Sequence, residues 1–321
     1  MVRAVRLLLL GATILTTGAT AQEGWPSRPI RLIVPVSAGG GHDLMARTLA
    51  YGLSQQLPQR AIVENVTGAG GLRATREVAK SSPDGYTFLF TGPQHATLPF
   101  VYKNPGYDVK ADFESVSLVL LYPVVLIINP SSPARNLGEF ISMVRAAPGK
   151  YTFASSGVGG ASHIAVEGFL SRAGLNMVHV PFRGSGETSA ALLGGQVDFA
   201  VDALATQLGN IREGRVRALA LASRERSSAL PNLPTVAETF PGFSSPLWAA
   251  TFAPSKTPGA IVIKMASAIA SAIKIPEVKK RYEDLLVETV GSSPQELDRF
   301  LEEQLAINKE IITKANVELQ E

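Results

Sequence analysis

The chain has 321 residues, of which 45% are hydrophobic and 7% aromatic, which is enough for one large or two medium-sized domains with real cores. Its formal net charge is only +3, and it contains no cysteine. Disulfides, lipid attachment through an N-terminal cysteine, zinc–thiolate sites and iron–sulfur sites are therefore excluded.

The first residues are typical of a secretory signal peptide. Arg3 and Arg6 precede an apolar run that extends to Leu15, and the small-residue sequence Ala19-Thr20-Ala21 follows. The apolar run is shorter than the ~20 residues that span a bilayer, and the arginines are not adjacent, as a twin-arginine signal requires. We therefore predict a cleaved Sec-type signal over residues 1–21 and a mature protein in the periplasm, without a lipid anchor.

Charge argues against nucleic acid or an acidic membrane as a partner. Removal of the predicted signal leaves 28 basic and 27 acidic residues. A nearly neutral chain lacks the basic surface that such partners require. Since no later segment reaches membrane-spanning length, we expect a soluble monomer that binds no nucleic acid.

Short apolar runs then alternate with helical periodicities. The sequence predicts strands at residues 30–34, 61–64 and 86–90. Between them, Met45, Leu49, Leu53 and Leu57 recur every four residues before Pro58, and a second helix covers residues 75–80. This order indicates a parallel sheet with helices on its faces.

The same order restarts after a long apolar segment, residues 116–128. Strands are predicted at 151–154, 178–180, 197–201 and 217–221, and helices around 166–173, 188–193, 261–273, 276–285 and 294–315. Residues 116–128 and 248–252 are candidates for the connections between two α/β units. We therefore expect a discontinuous lobe 1 over residues 22–123 and 246–321, with lobe 2 at 124–245.

Three glycine-rich turns lie between a predicted strand and a predicted helix. They are Pro35 to Asp43, which contains Gly39-Gly40-Gly41, Ser155 to Ser162, and Arg183 to Glu187. Glycine permits close approach to the main chain, and the helix N-terminus that follows favours an anion. One such turn can be an ordinary connection. Two such turns, in equivalent positions of the two α/β units, favour a binding site, because ligands of α/β sheets bind at the carboxyl ends of the strands.

The ligand predicted from these loops is a carboxylate held by main-chain dipoles and water, because the first two loops contain neither Lys nor Arg. Nucleotide sites are excluded by spacing: Ser162 stands where a dinucleotide fingerprint needs Gly or Ala, and no phosphate-binding loop with Gly-Lys-Ser/Thr occurs. A nucleophile elbow around Ser185 is excluded because Arg183 replaces its first glycine. No metal or cofactor is implied.

The four histidines share no metal-binding spacing. His179 lies in an apolar strand and is expected to be a satisfied core residue, and His163 is expected to cap or pack. His42 follows the three glycines and is a candidate for ligand contact, through a hydrogen bond or a pH-dependent charge. Asp202, after a predicted strand, either binds a ligand amine or hydroxyl or caps the next segment.

Several stretches in chain order resemble one protein family. They are Trp25-Pro26-Ser27-Arg28-Pro29-Ile30, Val34-Pro35, Ala38 to Asp43, Val63-Glu64-Asn65, Gly68-Ala69-Gly70-Gly71, Pro83 to Thr87, His179 to Gly184, Leu193 to Asp198, and Leu233 to Glu238. The chain resembles the Bug-type solute receptors of the tripartite tricarboxylate transporter family over essentially its whole mature length.

The resemblance implies a type II periplasmic binding protein, an α/β Venus flytrap with a ligand cleft between two lobes. It also implies that the first loop and the Ser155 to Ser162 loop hold a small carboxylate through main chain and water, and that Asp202 lies in the pocket. His42 stands where Thr or Ser is usual, and Gly160-Ala161 replace residues that are commonly hydroxylated. Pro93-Gln94-His95 is a further, individual candidate for the pocket lining.

The candidate ligand-binding residues combine these loops with one glycine after the third strand. They are Val36, Ser37, Ala38, Gly39, Gly40, Gly41, His42, Asp43, Gly92, Ser155, Ser156, Gly157, Gly160, Ala161 and Asp202. The predicted function is capture of a small carboxylate and its delivery to integral-membrane permease subunits. A receptor that feeds a sensor protein is an alternative that the sequence does not separate. A periplasmic hydrolase would need a nucleophile and base, and no such pair is recognisable in the sequence.

Overall fold

The computed structural model describes residues 24–39, 41–182, 184–315, 317 and 319–321. The predicted signal, residues 1–21, lies outside the described residues, as do Gly40 and Arg183.

Strands and helices alternate along the described chain. The strands are β1 (Ile30–Val34), β2 (Ala61–Asn65), β3 (Thr87–Thr91), β4 (Phe113–Tyr122), β5 (Val124–Ile128), β6 (Thr152–Ser155), β7 (Val178–Pro181), β8 (Phe199–Ala203), β9 (Arg217–Leu221), β10 (Leu247–Pro254) and β11 (Glu288–Thr289). The helices are α1 (Gly41–Gln56), α2 (Leu72–Ala79), α3 (Gln94–Val101), α4 (Leu137–Ala146), α5 (Ala161–Ala173), α6 (Ser185–Leu193), α7 (Leu204–Arg212), α8 (Val236–Thr239), α9 (Gly259–Ala272), α10 (Pro276–Asp284) and α11 (Pro294–Lys314), with a 3₁₀ turn at Ala69–Gly71.

The strands form two separate sheets. The first has the order β11-β4-β10-β3-β1-β2 and the second the order β7-β6-β8-β5-β9. β1 is parallel to β2 and β3, and β6 is parallel to β7 and β8. β10 runs antiparallel between β3 and β4, as β5 does between β8 and β9. The parallel cores confirm the predicted α/β class.

Pro123 marks the point at which the chain changes sheet. The apolar segment 116–128 is two strands, because β4 ends at Tyr122 in the first sheet and β5 begins at Val124 in the second. Proline has no N–H for a ladder and interrupts pairing there. The chain re-enters the first sheet at β10, where Leu247 lies opposite Tyr122. The predicted apolar stretch 248–252 is therefore part of a central strand.

Each sheet is covered on both faces, because successive side chains of a strand point in opposite directions. In the first sheet, Leu32 and Phe88 pack with Met265 of α9, while Ile33 and Leu89 pack with Leu297 of α11. The second sheet divides in the same way, with residues such as Phe153 and Phe199 on the α4 and α5 side and Val125 and Ala200 on the other.

The long C-terminal helix α11 contacts both halves of the molecule. It packs on β4 and α3 of the first half and on α5 of the second. Within the described residues, no single helix has the length and apolar character needed to cross a membrane; α9 and α10 meet that test only as a pair, bent by 74°.

Candidate ligand-binding site

The first loop runs from the end of β1 to the start of α1, and Asp43 holds its main chain. The Asp43 side chain is 1% exposed. Its Oδ2 accepts the Gly39 N–H at 2.8 Å and Arg47 Nε at 2.9 Å, and its Oδ1 accepts Asn65 Nδ2 at 2.8 Å. Burial alone would raise the pKa of Asp43, but these hydrogen bonds and the Arg47 charge hold it below its ordinary value.

The same network fixes the conformation of the loop and leaves its tip open to solvent. Asn65 Nδ2 also donates to the Val36 carbonyl at 3.0 Å. Gly39 has φ +85°, which glycine adopts without strain, and Ser37, Ala38 and Gly39 are exposed. The Asp43 carboxylate therefore serves the protein's own loop, and the N–H groups in the first turn of α1 are the donors that a helix leaves for a ligand.

His42 turns its ring inward beneath the first turn of α1. Its ring centroid lies 5.0 Å from that of Phe90, and its Nδ1 lies 3.5 Å from the Tyr122 hydroxyl. Its Nε2 is buried and has no hydrogen-bond partner within the described chain. Burial lowers the pKa of His42 to about 4, so the imidazole is neutral at pH 7.

Gly92, at the end of β3, lies against this ring and the main chain of β10. An ideal Cβ at Gly92 would be 2.8 Å from the Trp248 carbonyl oxygen and 3.3 Å from His42 Cε1. The main chain therefore leaves no space for a side chain at Gly92, which lies beside the His42 ring of α1.

Donors from its own half of the molecule hold the Asp202 carboxylate. Ser185 Oγ lies 2.8 Å from both carboxylate oxygens, Gln207 Nε2 donates at 2.7 Å, and the Ala203 N–H donates at 2.8 Å. Burial raises the pKa of Asp202 despite these donors. Burial, with the nearby Asp202 charge, also raises the pKa of Tyr122. His42, Tyr122 and Asp202 therefore lie in one neighbourhood where the chain changes sheet.

The second loop, between β6 and α5, uses most of its N–H groups internally. The Ser156 N–H donates to Ser162 Oγ at 3.0 Å, the Gly157 N–H to Ser155 Oγ at 3.2 Å, and the Gly160 N–H to the Gly157 carbonyl at 3.1 Å. The first turn of α5, which begins at Ala161, leaves further N–H groups without partners inside the helix.

Two stacked histidines support this loop from beneath. The rings of His163 and His179 are 3.9 Å apart between centroids, with an interplanar angle of 10°. His179 Nε2 lies 2.5 Å from Ser155 Oγ. Burial, with the neighbouring His163, lowers the pKa of His179 to about 3. His179 is therefore hydrogen-bonded to a candidate site residue as well as packed on the sheet.

The Ser155–His179 contact has the composition of a nucleophile and base, which sequence alone did not reveal because the residues are 24 apart. Ser155 is 0% exposed, and its hydroxyl also lies 3.2 Å from the Gly157 carbonyl and N–H. A nucleophile must reach a substrate carbonyl. The buried geometry makes this pair a support for the loop.

A direct contact joins the second loop to the first half of the molecule. Thr97, in α3 just after β3, is 0% exposed, and its Oγ1 donates to the Gly159 carbonyl at 2.7 Å. Val101 of the same helix packs against Gly159. α3, which no sequence pattern predicted, thus brings the carboxyl end of β3 to the loop that follows β6.

His95, a sequence candidate for the pocket lining, lies elsewhere. It is 0% exposed, and its ring packs on Tyr107, Phe113 and Phe252. It is a core residue because α3 turns it towards the aromatic cluster. Two surface grooves of about 530 and 540 Å³ include none of the loop residues; one lies around Arg217 and the other around Phe300. No metal-binding cluster occurs among the described residues.

Comparison with known proteins identifies the family. The sequence model described as "Tripartite tricarboxylate transporter family receptor" matches residues 45–317. The chain is 35% identical over 292 residues to a UPF0065 protein in the tcbD-tcbE intergenic region of a Pseudomonas species, covering 90% of this chain and 87% of that protein. It is 34% identical over 306 residues to protein BugT of Bordetella pertussis, covering 93% and 94%. The chain belongs to the tripartite tricarboxylate transporter receptor family.

Solved structures with the same fold include a periplasmic binding protein and two proteins with a bound dicarboxylate. The periplasmic binding protein BugD matches with a TM-score of 0.82 at 33% identity, covering 92% of this chain and 100% of BugD. R. palustris Rpa4515 with adipate matches with a TM-score of 0.84 at 31% identity, covering 92% and 100%. MatC of Rhodopseudomonas palustris with bound malate matches with a TM-score of 0.81 at 30% identity, covering 90% and 100%. The predicted Bug-type resemblance and the periplasmic-binding-protein fold are confirmed.

Proposed function

We propose that this protein is a periplasmic receptor that captures a small carboxylate between two lobes and delivers it to a tripartite tricarboxylate-type permease. The observation that carries this proposal is the Thr97–Gly159 hydrogen bond, which joins the ligand loop of one sheet to the strand-end region of the other. In α/β proteins this is the side on which ligands bind.

The proposed lobes follow the change of sheet. Lobe 1 comprises residues 22–123 and 246–321, and lobe 2 comprises residues 124–245. This division is supported by Pro123, after which the strands belong to the second sheet, and by Leu247, where the chain re-enters the first. The ligand lies between the start of α1 with Gly92 and the start of α5 with Asp202.

The ligand is held chiefly by helix ends. The first-turn N–H groups of α1 and α5 have no partners within their helices, and the positive ends of two helix dipoles favour an anion. A carboxylate bound through main chain and bridging water in a closed cleft can reach micromolar affinity, about 8 kcal/mol. The malate and adipate bound by two related structures support this ligand class.

The proposed location is the periplasm, after export on a cleaved signal. The signal-like pattern at residues 1–21 and the periplasmic relatives support it. Delivery to membrane permease subunits rests on the family's description as a transporter receptor.

A thermal-shift assay on refolded, ligand-stripped mature protein tests the proposal. The panel contains small mono-, di- and tricarboxylates, malate and adipate among them, together with the uncharged amide of each acid. An acid at 100 times its dissociation constant stabilises the folded state by about 2.7 kcal/mol, which raises the melting temperature by several degrees. A saturable rise with an acid and none with its amide is expected. An equal rise with the amide, or no rise with any small mono-, di- or tricarboxylate, would contradict the proposal.

A further inference from the structure

Gly159 is held from two sides of the molecule. Its N–H donates to His163 Nδ1 at 3.0 Å, and its carbonyl accepts the Thr97 hydroxyl from α3 at 2.7 Å. His163 is 3% exposed and Thr97 0% exposed, so neither hydrogen bond can be replaced readily by one to solvent. The peptide groups of one loop residue therefore connect a histidine of α5 to a helix of the other lobe.

The hydrogen bond from the Gly159 N–H to His163 requires that Nδ1 of the imidazole acts as the acceptor. A histidine nitrogen accepts a hydrogen bond only when it carries no proton, and both nitrogens become donors in the charged ring. His163 Nε2 lies 3.6 Å from Glu167 Oε1, an orientation consistent with a proton on Nε2 and an acceptor at Nδ1. A proton on Nδ1 would point at the Gly159 N–H, and this hydrogen bond could not form.

The second histidine of the stack supports the other half of the same loop. His179 Nε2 contacts Ser155 Oγ, which in turn receives the Gly157 N–H. The two stacked rings therefore support adjacent parts of the same loop, His163 through Gly159 and His179 through Ser155.

We propose that His163 is a positioning residue for ligand binding: its Nδ1 accepts the Gly159 N–H and fixes Gly159 in the conformation that receives Thr97 of the other lobe. This inference rests on the proposed function only in assigning the loop to the ligand site; the control of the loop by His163 is independent of any ligand.

Two isosteric variants isolate the acceptor. The Asn side chain in His163→Asn places a carbonyl oxygen where Nδ1 stands, whereas His163→Gln places its terminal group where Nε2 stands. The primary readout is the protection factor of the Gly159 amide, measured by hydrogen exchange on ligand-free protein at pH 7.5. Titration calorimetry with malate and with adipate at pH 7.5 is the second readout.

At pH 7.5, the Gly159 amide of His163→Asn should keep wild-type protection, and that of His163→Gln should be at least ten-fold less protected. Affinity for a bound acid should follow the same order. Equal protection in the Gln and Asn variants would overturn the inference. If the protection pattern holds and neither malate nor adipate binds, nor any other acid of the thermal-shift panel, the carboxylate proposal fails while His163 remains the loop's positioning residue.

Discussion

Val101 occupies the space that a side chain on Gly159 would need. An ideal Cβ at Gly159 would lie 2.8 Å from both Cγ atoms of Val101, and Gly159 has φ +71°. The two residues lie in α3 and in the loop before α5, which belong to different halves of the molecule. Glycine at this position is therefore required both by its backbone conformation and by the contact between the halves.

Replacement of Gly159 by Ala should separate the loop from α3. The added methyl group clashes with Val101 and forces a left-handed conformation on a residue with a Cβ, which together should cost about 2–4 kcal/mol of folding or closure free energy. We expect at least a ten-fold loss of affinity for a bound acid in calorimetry, with a lower melting temperature. Val101→Ala in the same chain removes the clash and should restore part of the loss.

Gly209→Ala is the matched control for this substitution. Gly209 lies in α7, its φ is not positive, and no atom lies within 4 Å of an ideal Cβ there. Alanine should leave binding unchanged and stabilise the helix by up to about 1 kcal/mol. Equal effects of the two alanine variants on affinity would contradict the role given to Gly159.

Replacement of His95 by Phe should remove a source of acid instability. Both ring nitrogens are buried without hydrogen-bond partners in the described chain, and burial lowers the pKa of His95 to about 3. The unfolded chain binds a proton near the ordinary pKa of 6.5. The folded state therefore keeps its full stability above pH 6.5, where His95 is neutral in both the folded and the unfolded chain. As the pH falls towards 3, proton uptake by the unfolded chain reduces that stability, by about 2 kcal/mol at pH 5.

Urea unfolding at pH 8 and pH 5 measures that difference. The free energy of unfolding of His95→Phe minus that of wild type should be about 2 kcal/mol larger at pH 5 than at pH 8, because only wild type loses stability in acid. His95→Leu should show the same pH dependence with a cavity penalty at both pH values. A relative stability that does not change with pH would show that His95 titrates normally.

Asp43→Asn should destabilise the first loop. The amide keeps the size of the side chain but loses the charge that accepts from Gly39 and Arg47. Removal of an acceptor from buried donors costs about 1–3 kcal/mol. Since the folded pKa of Asp43 is lowered, its contribution is complete above the ordinary value of 3.8 and is lost as the pH falls through the lower folded value.

The measurement is again the free energy of unfolding. The cost of Asp43→Asn should be constant from pH 7 to pH 5 and should shrink below pH 3.8. Asp112→Asn on the exposed turn before β4 is the comparison, because its carboxylate accepts the Asp108 N–H at the surface. A cost no larger than that of Asp112→Asn would contradict the loop-holding role of Asp43.

Ser185→Ala should weaken binding through Asp202. The hydroxyl lies 2.8 Å from both Asp202 oxygens, so its loss removes one of the donors that hold this partly buried carboxylate. We expect a loss of about 1–3 kcal/mol in stability and a smaller loss of ligand affinity. Ser185→Thr keeps the hydroxyl and should keep both properties near wild type; if Thr and Ala behave alike, the hydroxyl is not the cause.

The regular elements of the fold were largely predictable from local patterns. The apolar run Ile30–Val34, the four-residue spacing in α1 and the Ser293 capping box before α11 each reflect interactions within a few residues. α3 escaped prediction because it has only 8 residues and Pro99 lies inside it. β4 and β5 were merged because both are buried and nearly continuous.

The glycine loops themselves were also evident from sequence, but their hydrogen bonds were not. The positions Gly39, Gly157 and Gly159 follow from strand–turn–helix grammar, and glycine at positive φ is expected there. That Asp43, Ser155 and Ser162 would accept the loop N–H groups depends on side-chain directions that no pattern encodes.

What the sequence determined by itself is therefore the set of local elements, the near-neutral cysteine-free composition and the family motifs, because each depends on neighbouring residues or on residue type. Only the tertiary structure decided that Thr97 meets Gly159, that His163 stacks on His179 and that His42 turns towards Tyr122. These contacts join residues 62, 16 and 80 positions apart. Their distances are set by how the helices pack against the two sheets, and that packing is a property of the whole chain.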